Sequence, residues 1–390
     1  MSVELRPLGV KCNIQCQYCY QNPQRDADNV THHYDIPKML ASLAQENEPF
    51  SLFGGEALLI PLADLETLWA WGFARYGQNN LQTNGTLITD AHIQLFQKYN
   101  VHVGISIDGG GELNDVRWAG TYRKTREATA KTEQAIEKLC ALGIPAGLII
   151  TLHQGNARAD KLPLLHTWLR DMEQLGIRSV RLHILEIDNP IIAQQYALSD
   201  TENLAALQSF LELEKTLSQL RFDIFHDMRC LLLGDDAPVT CVWKACDAYT
   251  TRAVRSVEGH GQRRNCGRTN KEGIDFVKAN IEGFERYLAL YHTPQHYQGC
   301  QDCRFFLMCK GQCPGTAFAG DWRNRSHDCA VWMQLYTILE AELLAEGKTP
   351  ISQHPARLAL EEMFIAEWIQ GQNLLIHQAL SRWEKAQVKI

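Results

Sequence analysis

Six times in the first 190 residues, a short run of β-forming residues is followed by a segment with apolar positions at three-to-four spacing. The β-type runs end near residue 10 and cover 51–53, 80–83, 102–107, 146–152 and 179–187. The helix-type segments are 36–45, 62–75, 91–98, 124–142, 161–175 and 202–220. Such alternation specifies a parallel sheet, curved or open, with its helices outside. In parallel β/α barrels the site is built at the C-terminal ends of the strands. Here Cys12 follows the first run, Gly54-Gly55-Glu56 the second, Asn84-Gly85 the third, Ser106 to Gly109 the fourth and His153 the fifth. One glycine in a βα turn is only a steric convenience. Polar and glycine-rich residues collected there strand after strand, in register with cysteines, mark a site.

Cys12, Cys16 and Cys19 stand in C-x3-C-x2-C spacing. Three thiolates this close hold three corners of an iron–sulfur cube and leave the fourth iron without a protein ligand. A cluster used only for electron transfer takes four cysteines, whereas an open iron can bind and activate a small molecule. The spacing also suits a structural zinc site, which needs a fourth ligand; His32 or His33 would have to supply it.

At 390 residues the chain has room for a barrel-sized domain and a second module. A formal net charge of −7 argues against a nucleic-acid binder. No apolar run is long enough to span a bilayer, and the opening MSVELRPLGV has no signal-peptide core. Thirteen cysteines without an export signal point to metal rather than disulfides, and to the cytoplasm.

The runs CNIQCQYCY, FGGEALL, LQTNGTLIT and GISIDGGGELND together resemble a radical S-adenosylmethionine (SAM) enzyme. The resemblance implies a partial (β/α)6 TIM-type barrel and a 4Fe–4S cluster on Cys12, Cys16 and Cys19. SAM would chelate its open iron and be reductively cleaved to a 5′-deoxyadenosyl radical. Gly54, Gly55 and Glu56 match the motif that receives the SAM amino group, although Ala57 stands where proline is usual. Tyr18 matches the aromatic position beside the adenine, and Ser106 and Leu185 match SAM contacts. Asn84 and Asp108 are each either a site residue or a turn former; Asp108 joins His183 and Glu186 as the catalytic candidates.

Beyond Leu233 the periodicity fades, and eight cysteines lie between Cys241 and Cys329 inclusive. Loops rich in Cys, Gly and Pro bury little apolar area, so bound metal must supply much of their folding energy. Eight thiolates divide into two sites of four, on spacing alone either zinc or iron–sulfur. Behind a radical SAM barrel the segment resembles the SPASM domain, which implies two auxiliary 4Fe–4S clusters, three clusters in all. By that resemblance Cys241, Cys246, Cys266 and Cys313 bind the first, and Cys300, Cys303, Cys309 and Cys329 the second. Cys140 and Cys230 remain as core residues. The expected domains are 1–235 (barrel), 236–335 (SPASM) and 336–390 (a helical extension).

The resemblance further implies modification of a peptide, with Trp118, Tyr122, His183, Glu186 and Asp188 as walls of the pocket. In anaerobic sulfatase maturases an Asp follows the third cysteine of the first auxiliary cluster and acts as a base. Gly267 follows Cys266 here, which separates the chain from that subfamily. The opening ELRPLGVKCNIQCQYCYQNPQR and the run CGRTNKEG look more like maturases of ribosomal precursors with nitrile-hydratase-like leaders. That group includes spliceases, which excise a tyramine unit and leave an α-keto-β-amino acid. The expected activity is therefore splicing of a precursor peptide. Carbon–carbon or thioether crosslinking, sulfatase maturation and, in another class, three-cluster electron transfer or a zinc-stapled binding module are the alternatives. The barrel begins only eleven residues before Cys12, so a separate leader-recognition protein is expected as partner, with a flavodoxin- or ferredoxin-type reductant.

Overall fold

A computed structural model describes residues 3–26, 31–187, 189–247, 255–269 and 282–387. The chain divides into two compact units: residues 1–223 with 255–277, and residues 224–254 with 278–390.

The first unit holds nine strands: β1 (Val3–Arg6), β2 (Phe50–Leu52), β3 (Asn79–Thr83), β4 (Val101–Ser106), β5 (Ala146–Leu152), β6 (Ser179–Ile184), β7 (Arg221–Phe222), β8 (Arg255–Glu258) and β9 (Arg263–Asn265). They form one sheet in the order β7-β6-β5-β4-β3-β2-β1-β8-β9. Every pairing is parallel except that of β8 with β9. This is the expected mixed α/β fold with a parallel sheet. Alternation along each strand separates two faces. Leu5, Leu52, Leu81, Val103, Ile105, Leu148, Ile150, Val180 and Leu182 are all buried on one face, each contributing about 1.5–3 kcal/mol. The opposite face carries Glu4, Arg6, Ser106, His183, Ser256 and Glu258, brought into register by the β1–β8 and β5–β6 pairings. Helix ends are sharply defined. Helix Ile36–Glu46 starts at Asp35, which accepts the Lys38 N–H at 3.0 Å, and stops at a left-handed Asn47.

Two features move the boundary away from the expected 1–235 and 236–335. Strand β8 pairs in parallel with β1, and the buried Glu46 carboxylate ion-pairs with Arg255 of β8 and Arg263 of β9. The hairpin therefore belongs to the first unit. The expected separation of 336–390 is also corrected, because the tail shares an aromatic core with the cysteine-rich segment. Trp368 packs against Phe284, Tyr287, Phe306 and Phe364. Trp243 meets Trp332 and Tyr336 edge-on at 5.7 Å. Large aromatic side chains bury the area that Gly- and Cys-rich loops cannot.

Among the described residues no helix is long and apolar enough to cross a membrane. All thirteen cysteines are unbridged. Cys140 and Cys230, expected in the core, are only partly buried; the first lies in the last turn of helix Tyr122–Ala141, and the second is 3.6 Å from His226.

Candidate active site

The loop after β1 carries Cys12, Cys16 and Cys19 and is held from both sides. Gln15 and Gln17 donate their backbone N–H groups to Trp118 and Val116 at 2.6 and 2.9 Å. Cys19 and the Asn22 amide both bond the Cys16 carbonyl. Ile14, Cys16, Tyr18, Leu185 and Ile192 form an apolar cluster against which Cys12 and Cys19 pack. Burial, and then the nearness of Cys16, pushes the Cys12 thiol up to about 11 and the Cys19 thiol up to about 12. Such thiols become thiolates by giving their protons up to metal. Among the described residues no three His, Cys, Asp or Glu side chains converge as they would on a single ion, and His32 and His33 are exposed.

The Gly54-Gly55-Glu56 turn is pressed against this loop. Gly55 and Glu56 donate to the Gly9 and Lys11 carbonyls at 2.9 Å each. A Cβ on Gly55 would lie 2.1 Å from the Lys11 oxygen, and one on Gly54 (φ +128°) 2.7 Å from the Gly9 oxygen. Only glycine permits that approach. The Glu56 carboxylate is already engaged, by the Leu58 N–H at 3.0 Å, the Thr83 hydroxyl at 2.7 Å and the Asn84 N–H at 2.8 Å. What the turn can offer a ligand amine is therefore backbone, with Glu56 as its strut. Asn84 donates to Asn13 at 2.8 Å, and its amide is 3.9 Å from the Cys12 sulfur. It is thus more than a turn former. Ser106 ends β4 half-buried, and its hydroxyl has no hydrogen-bond partner among the described residues.

Asp108, one of the expected catalytic candidates, is fully buried. Its carboxylate accepts from the Tyr18 hydroxyl at 2.5 Å and the Thr151 N–H at 3.0 Å, and lies 3.4 Å from His153 and 4.0 Å from Arg117. Burial opposes its charge, but His153, Arg117 and Tyr18 outweigh that and hold the carboxyl below its ordinary value. Both carboxylate oxygens are thus engaged, one of them by Tyr18 of the cysteine loop. Arg117 escaped the sequence reading. It donates to the Tyr18 hydroxyl at 3.1 Å, and Cys16 is the foremost group stabilising its charge against burial. Its one sequence signal is a lone cation in the segment just after GELND.

A second polar group occupies the sheet's inner face near Cys266. Glu186 ion-pairs with Arg268, and Arg268 approaches the His183 ring nitrogen at 3.5 Å. Burial, then Arg268 and Arg181, keeps His183 neutral, its pKa well below the usual histidine range. Arg6 pairs with Glu258 at 3.4 Å. Glu4 accepts the Gly267 N–H at 3.2 Å; burial raises its pKa, against the pull of Arg6. A Cβ on Gly267 would meet Arg6 at 3.0 Å and the Tyr20 hydroxyl at 3.3 Å. Leu185 backs the cysteine loop. Trp118 and Tyr122 meet edge-on at 5.0 Å, with Tyr122 exposed. Asp188 lies outside the described residues.

In the second unit Cys300, Cys303, Cys309 and Cys329 line one cavity with Phe305, Phe306, Trp332, Met333 and Tyr336. Burial, then Cys303 and Cys329, pushes the Cys300 thiol up to about 12. Four thiols around one apolar cavity fit the second expected cluster. Of the first expected auxiliary set, Cys241, Cys246 and Cys313 belong to the second unit and Cys266 to the first.

Residues 7–163 match the family model described as the Radical SAM superfamily. A serine-type anaerobic sulfatase-maturating enzyme of Bacteroides thetaiotaomicron is 23% identical over 370 residues, spanning 81% of this chain and 83% of that protein. The cysteine-type enzyme of Clostridium perfringens is 22% identical over 355 residues, covering 80% and 88%. A serine-type enzyme of Klebsiella aerogenes is 27% identical over 207 residues, about half of each chain at 50% and 49%. Among solved structures, anSMEcpe with bound AdoMet aligns with a TM-score of 0.66 at 16% identity over 89% of this chain and 98% of that one. Streptococcus suis SuiB bound to precursor peptide SuiA aligns at 0.55 and 14% identity, covering 84% and 75%. Those two structural likenesses concern the fold. The segment that matches the Radical SAM superfamily model, residues 7–163, is the one that carries the three-cysteine loop and the glycine turn after the first two strands of the parallel sheet.

Proposed function

We propose that this enzyme binds SAM and three 4Fe–4S clusters and oxidises a residue of a peptide or protein substrate, in the manner of the sulfatase-maturating relatives. The observation that carries the reading is the cysteine loop, clamped by Trp118 and Val116 on one side and by the glycine turn on the other. SAM held there supplies a 5′-deoxyadenosyl radical that takes a hydrogen atom from the substrate. Ser106, Arg117 and the backbone of Gly54 and Gly55 would hold its polar groups, with Tyr18 and Leu185 flanking it.

The expectation of splicing rested partly on Gly267, which lacks the carboxylate of the sulfatase maturases. The Glu4 carboxylate reaches the same backbone from β1, so a proton acceptor stands at that spot without one at 267. This supports side-chain oxidation as the first reading, with Glu4 taking the substrate proton and an auxiliary cluster the electron left after hydrogen-atom removal. Tyramine excision by a splicease is the second reading, favoured by the resemblance of the opening segment to precursor-peptide maturases; crosslinking would leave a different product again. A separate leader-recognition protein, a flavodoxin- or ferredoxin-type reductant and a reducing cytoplasm belong to the same proposal.

Mass spectrometry decides among them. Reconstituted, reduced enzyme with SAM is given a serine- or cysteine-containing sulfatase peptide and, separately, a co-expressed precursor. Conversion of the serine or cysteine to an aldehyde supports the first reading. Loss of a tyramine-sized mass supports splicing, and loss of two hydrogens without an aldehyde indicates a crosslink. No 5′-deoxyadenosine with any substrate refutes all three.

A further inference from the structure

Between Cys309 and Cys313 the chain makes an unusual turn. Lys310, Gly311 and Gln312 are all left-handed, at φ 50°, 71° and 59°. Two of the three carry side chains, so something must hold the backbone there. What holds it is Arg286, which is 1% exposed. Its guanidinium donates to the carbonyls of Lys310, Gly311 and Gln312 at 3.3, 3.3 and 3.1 Å, and to those of Trp322 and Asn324 at 2.6 and 3.0 Å. Nη1, which already serves Lys310 and Gln312, also lies 3.4 Å from the Tyr287 hydroxyl.

Hydrogen bonding is thus satisfied, but charge is not. Among the described residues no carboxylate lies within ion-pairing distance of Arg286. The neighbouring buried cation, Lys310, has Asp236 at 3.8 Å. An arginine cannot shed its proton when buried, and an unanswered interior charge is costly. Gly311, Arg325 and Ser326 line the adjoining cavity with the four cysteines, and a Cβ on Gly311 would lie 3.5 Å from Arg286 Nη2.

We propose that Arg286 is the built-in counter-cation of the cluster site formed by Cys300, Cys303, Cys309 and Cys329, setting its reduction potential as well as the shape of the Cys309–Cys313 turn. The inference rests on reading those four cysteines as an auxiliary 4Fe–4S site. Net charge, hydrogen bonding and burial set the potential of such clusters, and a buried positive charge favours the reduced, more negative form. Arg286 is accordingly a positioning residue that acts on a neighbouring group, with no role in touching substrate.

The test is EPR-monitored redox titration of the reconstituted full chain, with iron counted per protein, for the wild type, Arg286→Gln and Arg286→Lys. A wild type without a cluster on these four cysteines refutes the underlying reading, independently of Arg286. If the wild type carries it, the Gln variant should shift its midpoint negative by at least a tenfold change in the redox equilibrium, about 59 mV for one electron. The Lys variant should stay near the wild type. An iron-replete Gln variant with an unchanged midpoint overturns the proposal. Should Gln lose the iron, Lys decides: retention shows that the charge is what matters, and loss shows that the hydrogen-bond fork alone does, which also overturns it.

Discussion

Gly55→Ala is the sharpest probe of the active site, because one added methyl meets backbone rather than a movable side chain. The new Cβ would lie 2.1 Å from the Lys11 oxygen, 2.4 Å from its carbonyl carbon and 2.5 Å from the Val10 oxygen, where ordinary contact begins near 3.4 Å. The Lys11 peptide must therefore retreat by more than about 1 Å, and Cys12 is the next residue. That movement breaks the Gly55–Gly9 and Glu56–Lys11 bonds, about 1 kcal/mol each, on top of about 1–3 kcal/mol for overpacking. The unit should survive a cost of roughly 3–5 kcal/mol spread over one loop, but a ligand displaced by about half a metal–sulfur bond length cannot hold its iron. Anaerobic iron analysis and EPR should show the N-terminal cluster missing, roughly four irons of twelve, with no 5′-deoxyadenosine formed and the remaining clusters intact. Full iron content with wild-type SAM cleavage would refute both the turn's geometry and its role.

Glu4→Gln should leave SAM cleavage within a few-fold of normal while product falls by about 10²–10⁴-fold, the range for a lost acid–base group; equal loss of both would make Glu4 structural. Cys16→Ala should abolish SAM cleavage, whereas Cys309→Ala should retain some cleavage and form no product. Product formation by the Cys309 variant would exclude a role for the second auxiliary site. Asp108 has a depressed folded pKa, so its stabilisation is whole above the unfolded value of about 3.9 and drains away as pH falls through the folded value. Asp108→Asn should therefore cost about 3–5 kcal/mol at pH 7 by leaving Arg117 buried beside no carboxylate, and less at acid pH. Denaturant midpoints measured at pH 7 and at about pH 2, well below the unfolded value, check this, and an equal effect at both would contradict it.

The first six parallel strands were legible because each is a short run closed by a polar or glycine signal and followed by a helix-type segment; β3 to β5 fall within a residue or two of their expected ends. Strands β7 to β9 were not. Arg221–Phe222 is too short to show alternation, and β8 and β9 are arginine-rich segments amid cysteine loops. Glu4 was hidden inside the first β-type run, since a strand with one buried and one site-facing side looks the same until its neighbours are known. Arg117 and Arg286 owe their meaning to residues far away in the chain, and no local pattern announces that. The cysteines and the glycine turn were visible for the opposite reason: cluster chemistry and close backbone approach each demand a particular residue type.

The return of the chain to β1 through the β8–β9 hairpin has a consequence for how the molecule is made. Synthesis passes through residues 224–254 of the second unit before the last two strands of the first emerge from the ribosome. Until then the outer side of β1 is a bare strand edge, the kind that recruits stray partners. Shortened versions ending near residue 223 are therefore expected to clump rather than fold, and maturation of this protein in the cell has to wait for, or shield, its own late-arriving hairpin.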